Sequence, residues 1–309
     1  MRRQIFRQIV SKRRRNTVVF QGVLGQYDEK SASRCAAKVT AANCSVLPKK
    51  TTLQRYITMD NTALKKDKFP QLSSAVLHIL AMLCMLCDHL WATVVPGNLW
   101  LTCVGRLAFP IFAFMAAEGY VRTGSLKKYI LRLLIFAIIS EIPFNLMYGS
   151  SIIYPYHQNV LWTFLLALGL IHLNKLAEKR HIALRVLIAA GTLLAGFLLG
   201  IIFMTDYNGA GVVTVMMFYF LRGRKWWNYL AQAAALYYIN VHILGGLYFE
   251  VQLFGRTLEI VQQGIAVLAL IPIWLYRGRQ GIHSAPFRYF CYAFYPIHML
   301  LLYIGTLFI

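Results

Sequence analysis

From residue 73 to the C-terminus, the chain is a succession of long apolar runs separated by short polar segments. Most of these runs are near the ~20 residues that an α-helix needs to cross a bilayer. Hydrophobic residues make up 58% of the chain and charged residues 14%, a composition that excludes an ordinary soluble domain. We therefore predict an all-α fold, a polytopic bundle of transmembrane helices.

The loops between the runs support a count of about nine spans. Loops rich in Lys and Arg (122–128, 175–185, 222–225 and 277–288) alternate with loops almost free of them (96–98, 149–157, 205–208 and 248–257). Because cytoplasmic loops carry the excess of Lys and Arg, this alternation predicts a multi-pass protein of the cytoplasmic membrane with a cytosolic N-terminus and an external C-terminus. The approximate limits of the predicted spans are 74–95, 99–121, 128–148, 158–174, 182–204, 209–221, 226–247, 258–276 and 288–309.

Residues 1–72 differ from the rest of the chain, since they are polar, aperiodic and carry a net charge of +12. We predict that they form a disordered cytosolic extension, followed by a membrane domain over residues 73–309. An alternative is that translation begins at Met59, just before the membrane part. The basic charge indicates membrane lipids as partners rather than nucleic acid, because basic flanks of membrane proteins are attracted to anionic lipid.

Three ionisable residues are predicted to lie at one depth in the membrane. Asp88 and His89 end one apolar run, Arg106 lies early in the next, and only the turn-like segment 95–98 separates the runs. The two helices are then antiparallel neighbours, and His89 and Arg106 both lie about 10 Å inside the bilayer edge. Charges at such depth usually mark a functional site. The structural alternatives are a hydrogen-bonded core histidine and an arginine that only neutralises Asp88.

Further polar residues collect toward the predicted outer ends of the spans. They predict the wall of a cavity that opens at or just below the outer surface. The alternatives are that Glu141 is an interfacial carboxylate and that Asp206 is a loop or cap residue. The residues in question are Glu141, His157, Gln158, Asn159, Asp206 and Tyr207.

His298 is predicted to lie deeper, about 15 Å into the last span and near the bilayer midplane. Pro296 removes a backbone donor and frees the carbonyl four residues earlier, which predicts a kink beside it. Tyr295 and His298 are three residues apart and share a helix face. The alternative for His298 is a hydrogen bond that packs two helices.

The chemistry that suits this set is general-base transfer. A neutral imidazole takes a proton from an amine or hydroxyl near neutral pH. A neighbouring carboxylate would fix the tautomer of the imidazole, and an arginine would hold an anion or stabilise developing negative charge. No Ser or Cys lies in a nucleophile motif, and Asp88, His89 and His298 are predicted to be too dispersed for a metal site.

Several segments resemble one known family of membrane proteins. The strings LHILAMLCMLCDHLWA, VGRLAFPIFAFMAAEGYVRTG, SEIPFNL, HQNVLWTFLLALG, DYNGAGV and FCYAFYPIHMLLLY occur in this order between residue 77 and residue 303. They resemble the TraX family, from about residue 74 to the C-terminus. The resemblance implies a membrane-embedded acetyl- or acyltransferase that uses acetyl-CoA, and the family's named member N-acetylates a mature pilin. By position, His89 is then the intramembrane catalytic histidine.

With that resemblance, the remaining residues divide into donor and acceptor sites. The anionic phosphates of cytosolic acetyl-CoA need basic groups at the inner face, and the predicted cofactor-binding residues are Arg122, Lys127, Lys128, Arg132 and Tyr295. The predicted catalytic residues are Asp88, His89, Arg106, Glu141 and His298. The outer residues 157–159, Asp206 and Tyr207 would bind an extracytoplasmic acceptor, either a peptide, a glycan or a lipid.

Two other functions compete with the enzyme. In a transporter or flippase, Asp88, His89 and Arg106 would form a proton or substrate relay. In a pilus assembly factor, the outer cavity would only hold a segment of a partner. No metal is expected in any of the three.

Overall fold

Helices account for most of the chain in the computed structural model, which describes residues 71–253, 255–282 and 284–308. The predicted N-terminal extension and the possible start at Met59 lie outside the described residues, apart from positions 71 and 72. The helices are α1 (Ser74–Thr93), α2 (Leu99–Gly105), α3 (Ala108–Arg122), α4 (Leu126–Gly149), α5 (Val160–Leu176), α6 (Ile182–Ile202), α7 (Asn208–Phe220), α8 (Trp226–Tyr238), α9 (Leu270–Leu275) and α10 (Ala285–Thr306). Two 3₁₀ segments (Ala177–Lys179 and Gln262–Ala269) and a π-helix (Ile239–Leu244) adjoin α5, α9 and α8.

Five helices are long and apolar enough to cross a membrane. They are Ser74–Thr93, Leu99–Arg122 (α2 with α3), Leu126–Gly149, Val160–Lys179 (α5 with its 3₁₀ turn) and Ile182–Ile202. They coincide with the first five predicted spans. The chain is therefore a helical membrane protein, while the total of nine spans and their orientation stay predictions.

The sixth predicted span is a short helix enclosed by the others. α7 has 13 residues and buries Val212, Val215, Met216 and Phe218 together with its glycines. It packs against α3, α5 and α6. At ~1.5 Å per residue it is about 20 Å long, shorter than the ~30 Å of bilayer hydrocarbon. Helices α3, α5 and α6, rather than lipid, therefore surround much of its apolar surface.

The predicted start of the eighth span at residue 258 is wrong, and the all-α prediction is confirmed only as a mostly helical fold. Residues 258–261, which were assigned to that span, belong to an antiparallel hairpin of β1 (Tyr248–Leu253) and β2 (Arg256–Val261). The fold is thus mostly helical rather than all-α. Apolar and polar residues alternate in both strands, which is the pattern of a half-exposed strand, and Gly255 adopts the positive φ of +74° that the tight connection requires.

The loops of different charge meet at different ends of the helices. At the basic end, Arg122 and Arg222 both bind Glu118, and Gly278 lies against Arg122. At the other end, the backbone N–H of Gln158 donates to Met204 over 2.9 Å, and Gly305 lies beside Val94. The charge alternation along the sequence therefore becomes a separation in space.

Candidate functional site

Two buried histidines from the first and last helices are in direct contact. His89 on α1 and His298 on α10 are 7% and 5% exposed. The Nδ1 atom of His89 lies 2.7 Å from the Nε2 atom of His298, and the two rings stack with an interplanar angle of 8°. His298 was predicted to lie deeper than His89 and apart from it, and their contact shows that this separation is wrong.

A second hydrogen bond, from His298 to the backbone, fixes the tautomers of both histidines. The Nδ1 atom of His298 lies 2.7 Å from the carbonyl oxygen of Phe294. Because a carbonyl only accepts, this nitrogen carries the proton, and the Nε2 atom of neutral His298 is an acceptor. His89 then donates from Nδ1, so its Nε2 atom holds a lone pair. The arrangement produces a neutral imidazole with a defined basic nitrogen.

Asp88 does not contact His89, contrary to the expectation that it fixes the tautomer of the imidazole. Adjacent residues on a helix do not face each other. The carboxylate of Asp88 instead accepts hydrogen bonds from Arg106 and from the hydroxyl of Thr102, the latter over 2.8 Å. Arg106 also donates to Gln263 over 3.0 Å. These contacts join α1 to α2 and to the 3₁₀ segment before α9.

Two tyrosines lie between this ion pair and the outer polar residues. The ring of Tyr148 forms T-shaped contacts with two histidine rings. The distance between ring centroids is 6.2 Å to His89 and 5.4 Å to His157. Tyr207, which was predicted to bind the acceptor, stacks on Phe109 with 4.0 Å between ring centroids. The predicted catalytic and acceptor residues therefore form one continuous region.

The outer polar residues form two hydrogen-bonded groups. The Nε2 atom of His157 lies 3.2 Å from a carboxylate oxygen of Asp206. Glu141 accepts hydrogen bonds from Asn159 and from the indole N–H of Trp162, the latter over 2.9 Å. The second oxygen of Glu141 is buried and has no partner among the described residues.

Gln158, the last of the five predicted acceptor-binding residues, is oriented by the loop around it. Its side chain donates to the carbonyl of Pro155 over 3.1 Å, and its backbone bonds to residues 204 and 206. These contacts hold the 149–157 loop against the 203–207 turn. Gln158 therefore stabilises the outer edge of the site, and its role in binding an acceptor stays a prediction.

A cavity of about 320 Å³ lies between the basic end and the histidine pair. Arg122, Arg132 and Arg288 contribute to its wall, as does Tyr295, one turn before His298. Aromatic and aliphatic residues cover most of the rest: Leu77, Met85, Phe112, Phe114, Met115, Tyr129, Leu133, Phe164 and Tyr292. The cavity is therefore apolar with arginines in its wall.

The arginines in this cavity wall are not fully satisfied. The Nε atoms of Arg132 and Arg288 are buried and have no hydrogen-bond partner among the described residues. Lys127 and Lys128, also predicted to bind the cofactor, are exposed and lie outside the cavity wall. Of the predicted cofactor-binding residues, Arg122, Arg132 and Tyr295 therefore line the cavity and the two lysines do not. Arg288 lines it as well, although it was not predicted.

A second cavity, of about 250 Å³, shares a wall with the first. Glu118, which is 9% exposed, forms part of that wall and accepts hydrogen bonds from both Arg122 and Arg222. The pKa of Arg222 lies above its ordinary value because of its hydrogen bond to Glu118. In the described part of the chain, no group of three metal-binding side chains converges.

Comparison with known proteins identifies the family. The family model described as "TraX protein" matches residues 73–305. The chain belongs to the TraX family. It is also 27% identical, over 252 residues, to the "Probable fimbrial assembly protein FimC, serogroup H1" of Dichelobacter nodosus, an alignment that covers 77% of this chain and 97% of the relative. No solved structure matches.

Several residues of the site in this TraX-family chain were not predicted from the sequence. Thr102 had a usable signal, because it lies four residues before Arg106 and thus on the same helix face. Tyr148 had a similar signal, seven residues after Glu141. Gln263 had none, because it comes from a segment far away in the sequence whose packing no local pattern indicates.

Proposed function

We propose that this chain is a membrane-embedded acyltransferase, which moves an acetyl group from cytosolic acetyl-CoA to an amine or hydroxyl at the outer side of the membrane. The observation that carries this proposal is the contact between His89 and His298. It provides one basic imidazole nitrogen in a buried site, with the second histidine as its orienting partner.

His89 acts as the general base of the transfer. Its Nε2 atom takes the proton of the acceptor while the acceptor's nitrogen or oxygen attacks the thioester carbonyl carbon. The carbon–sulfur bond then breaks, and the leaving thiolate takes the proton from His89. His298 holds the Nδ1 proton of His89 throughout, and the carbonyl of Phe294 orients His298 in turn.

The first cavity suits the donor. An acyl thioester carries a narrow, weakly polar arm that ends in a nucleotide with several phosphates. The cavity is apolar along most of its wall, and arginines with unpartnered Nε atoms are available for phosphate. Its volume is at the lower end of the roughly 300–1,000 Å³ of ligand pockets, which fits the arm and leaves the nucleotide outside.

The outer polar residues suit the acceptor. Glu141 has a buried carboxylate oxygen without a partner, which would bind the ammonium or hydroxyl of an incoming group. The name of the Dichelobacter relative refers to fimbrial assembly, and this favours the N-terminal amine of a pilin-like peptide. An envelope glycan or lipid is the other class of acceptor that fits.

The donor site is tested by charge reversal in and beside the first cavity. In purified protein, Arg132→Glu should weaken acetyl-CoA binding by roughly tenfold or more, because it replaces a guanidinium that donates hydrogen bonds to phosphate by a carboxylate that repels it. Lys128→Glu is the matched control, since it makes the same charge change on the same helix outside the cavity wall. Equal binding by both variants and the wild type would refute the donor site.

A pilus assembly factor without catalysis is the second candidate, favoured by the name of the Dichelobacter relative. In that case the outer region would hold a partner segment and the histidine pair would be structural. Pilus assembly in cells carrying His89→Ala separates the two candidates. Pilin that carries an acetyl group in the wild type and loses it in His89→Ala would support the transfer, whereas pilin without an acetyl group in both strains would support an assembly role.

A further inference from the structure

We infer that the second cavity binds the phosphorylated adenosine end of the acyl donor, an inference that rests on the proposed function. The two cavities share Phe114, Glu118, Arg122 and Tyr276 in their walls. A ligand with its arm in the first cavity therefore places its nucleotide next to the second. This assigns a role to residues that the histidine chemistry does not use.

The charge of the second cavity favours a phosphate. Arg122, Arg222 and Arg224 lie in or beside its wall, and Glu118 is its one carboxylate. Glu118 binds Arg122 and Arg222 at the same time. Three guanidinium groups against one carboxylate leave an excess of two positive charges. Arg224 forms no ion pair among the described residues, so its charge is available to a ligand.

The aromatic residues of the second cavity favour a planar base beside that phosphate. Tyr229 and Trp274 meet at 5.1 Å between ring centroids in an edge-to-face arrangement. The indole N–H of Trp274 donates to Gln232 over 2.8 Å, and Gln232 in turn donates to the carbonyl of Leu221 over 3.0 Å. These bonds fix the tryptophan before any ligand arrives. Bases stack readily on aromatic rings of this kind in nucleic-acid-binding proteins.

Glu118 positions two of the arginines that line the second cavity. Its carboxylate lies in the wall common to both cavities and holds two arginines in place. Because it neutralises only part of their charge, it positions the guanidinium groups without cancelling the attraction for phosphate. A phosphate alone would need only the arginines, whereas the adjoining rings of Tyr229 and Trp274 indicate a nucleoside phosphate.

The test compares two acetyl donors that differ only in the nucleotide. Acetyl-CoA carries it, and S-acetyl-pantetheine lacks it. Arg224→Glu should raise the KM for acetyl-CoA by roughly tenfold and leave the KM for S-acetyl-pantetheine unchanged, because only the first donor loses a charge-assisted contact. Lys225→Glu is the matched control, since Lys225 is the next residue but lies outside the cavity wall. An unchanged KM for acetyl-CoA in Arg224→Glu would overturn the inference while the acyltransferase proposal stands.

A binding experiment separates this inference from the proposed function. Adenosine 3′,5′-bisphosphate is titrated into the wild type, Arg224→Glu and Lys225→Glu in phosphatidylcholine nanodiscs. Loss of binding in Arg224→Glu alone supports the nucleotide site, even if the wild type transfers no acetyl group. Binding that disappears once the nanodiscs contain phosphatidylglycerol would overturn it in favour of a lipid-headgroup site.

Discussion

His157 and Asp206 form an ion pair in the outer region, and this pair leads to a prediction about pH. Partial burial lowers the pKa of His157, but the hydrogen bond and charge of Asp206 more than offset this effect, so its pKa lies above the ordinary 6.5. A histidine with a raised pKa stabilises the folded state fully below the unfolded-state pKa. That contribution is lost as the pH rises through the higher, folded-state pKa.

We therefore expect His157→Gln to be less stable than the wild type at pH 6 and to approach it at alkaline pH. The measurement is the thermal midpoint in detergent across this range. His181→Gln is the control, because His181 is exposed and caps α6 without a side-chain hydrogen bond. A constant difference between His157→Gln and the wild type at every pH would contradict the ion pair.

Also at the scale of residues, the sequence predicted the membrane depth of Asp88 and Arg106 better than it predicted which side chains are in contact. Asp88 and Arg106 were expected at one level because both lie near the same short turn, and they do form an ion pair. The contact of His89 with His298 joins residues 209 positions apart. No local pattern predicts how α10 is rotated against α1, so the sequence alone could not predict this contact.

At the scale of elements, the crossing of α6 and α7 depends on glycine. A Cβ atom on Gly200 would lie 2.7 Å from the Cα atom of Gly209 and 2.7 Å from the carbonyl oxygen of Asn208. Small residues at such crossings let helix backbones approach closely in membranes. The crossing in turn positions Asp206 and Tyr207, which lie in the turn between the two helices.

We expect Gly200→Ala to destabilise the protein by about 1–3 kcal/mol, the usual cost of forcing extra volume into a packed interface. Gly191→Ala on the same helix is the matched control, since a Cβ atom there would meet nothing within 4 Å. Unfolding in detergent measures both variants. Equal stability of the two would mean that α6 and α7 do not cross as described.

Hydropathy predicted the first five membrane helices correctly but missed the β-hairpin. The first five spans coincide with observed helices because long apolar stretches leave little alternative to a helix. The hairpin was missed because the apolar residues of β2 merge with the apolar run that continues into α9. There, the alternation of Glu250, Gln252, Thr257 and Glu259 with apolar neighbours was the better signal.

For the whole molecule, the testable property is orientation. The basic loops meet at one end and the other loops at the opposite end, as the positive-inside rule requires if the basic end faces the cytosol. Reporter fusions within residues 123–127 and after Ile309 should then report opposite sides of the membrane. The same side for both fusions would contradict the nine-span arrangement and the route of the donor from the cytosol.

The most direct test of the proposed function is acetyl transfer by purified His89→Ala. General-base catalysis contributes about 10²–10⁴ in rate, so we expect a loss of this size, with acetyl-CoA affinity close to that of the wild type. His298→Ala, measured beside it, should lose less, because His298 orients the base and does not take the proton. Near-wild-type transfer by His89→Ala, with transfer abolished in His298→Ala, would contradict the assignment of His89 as the base.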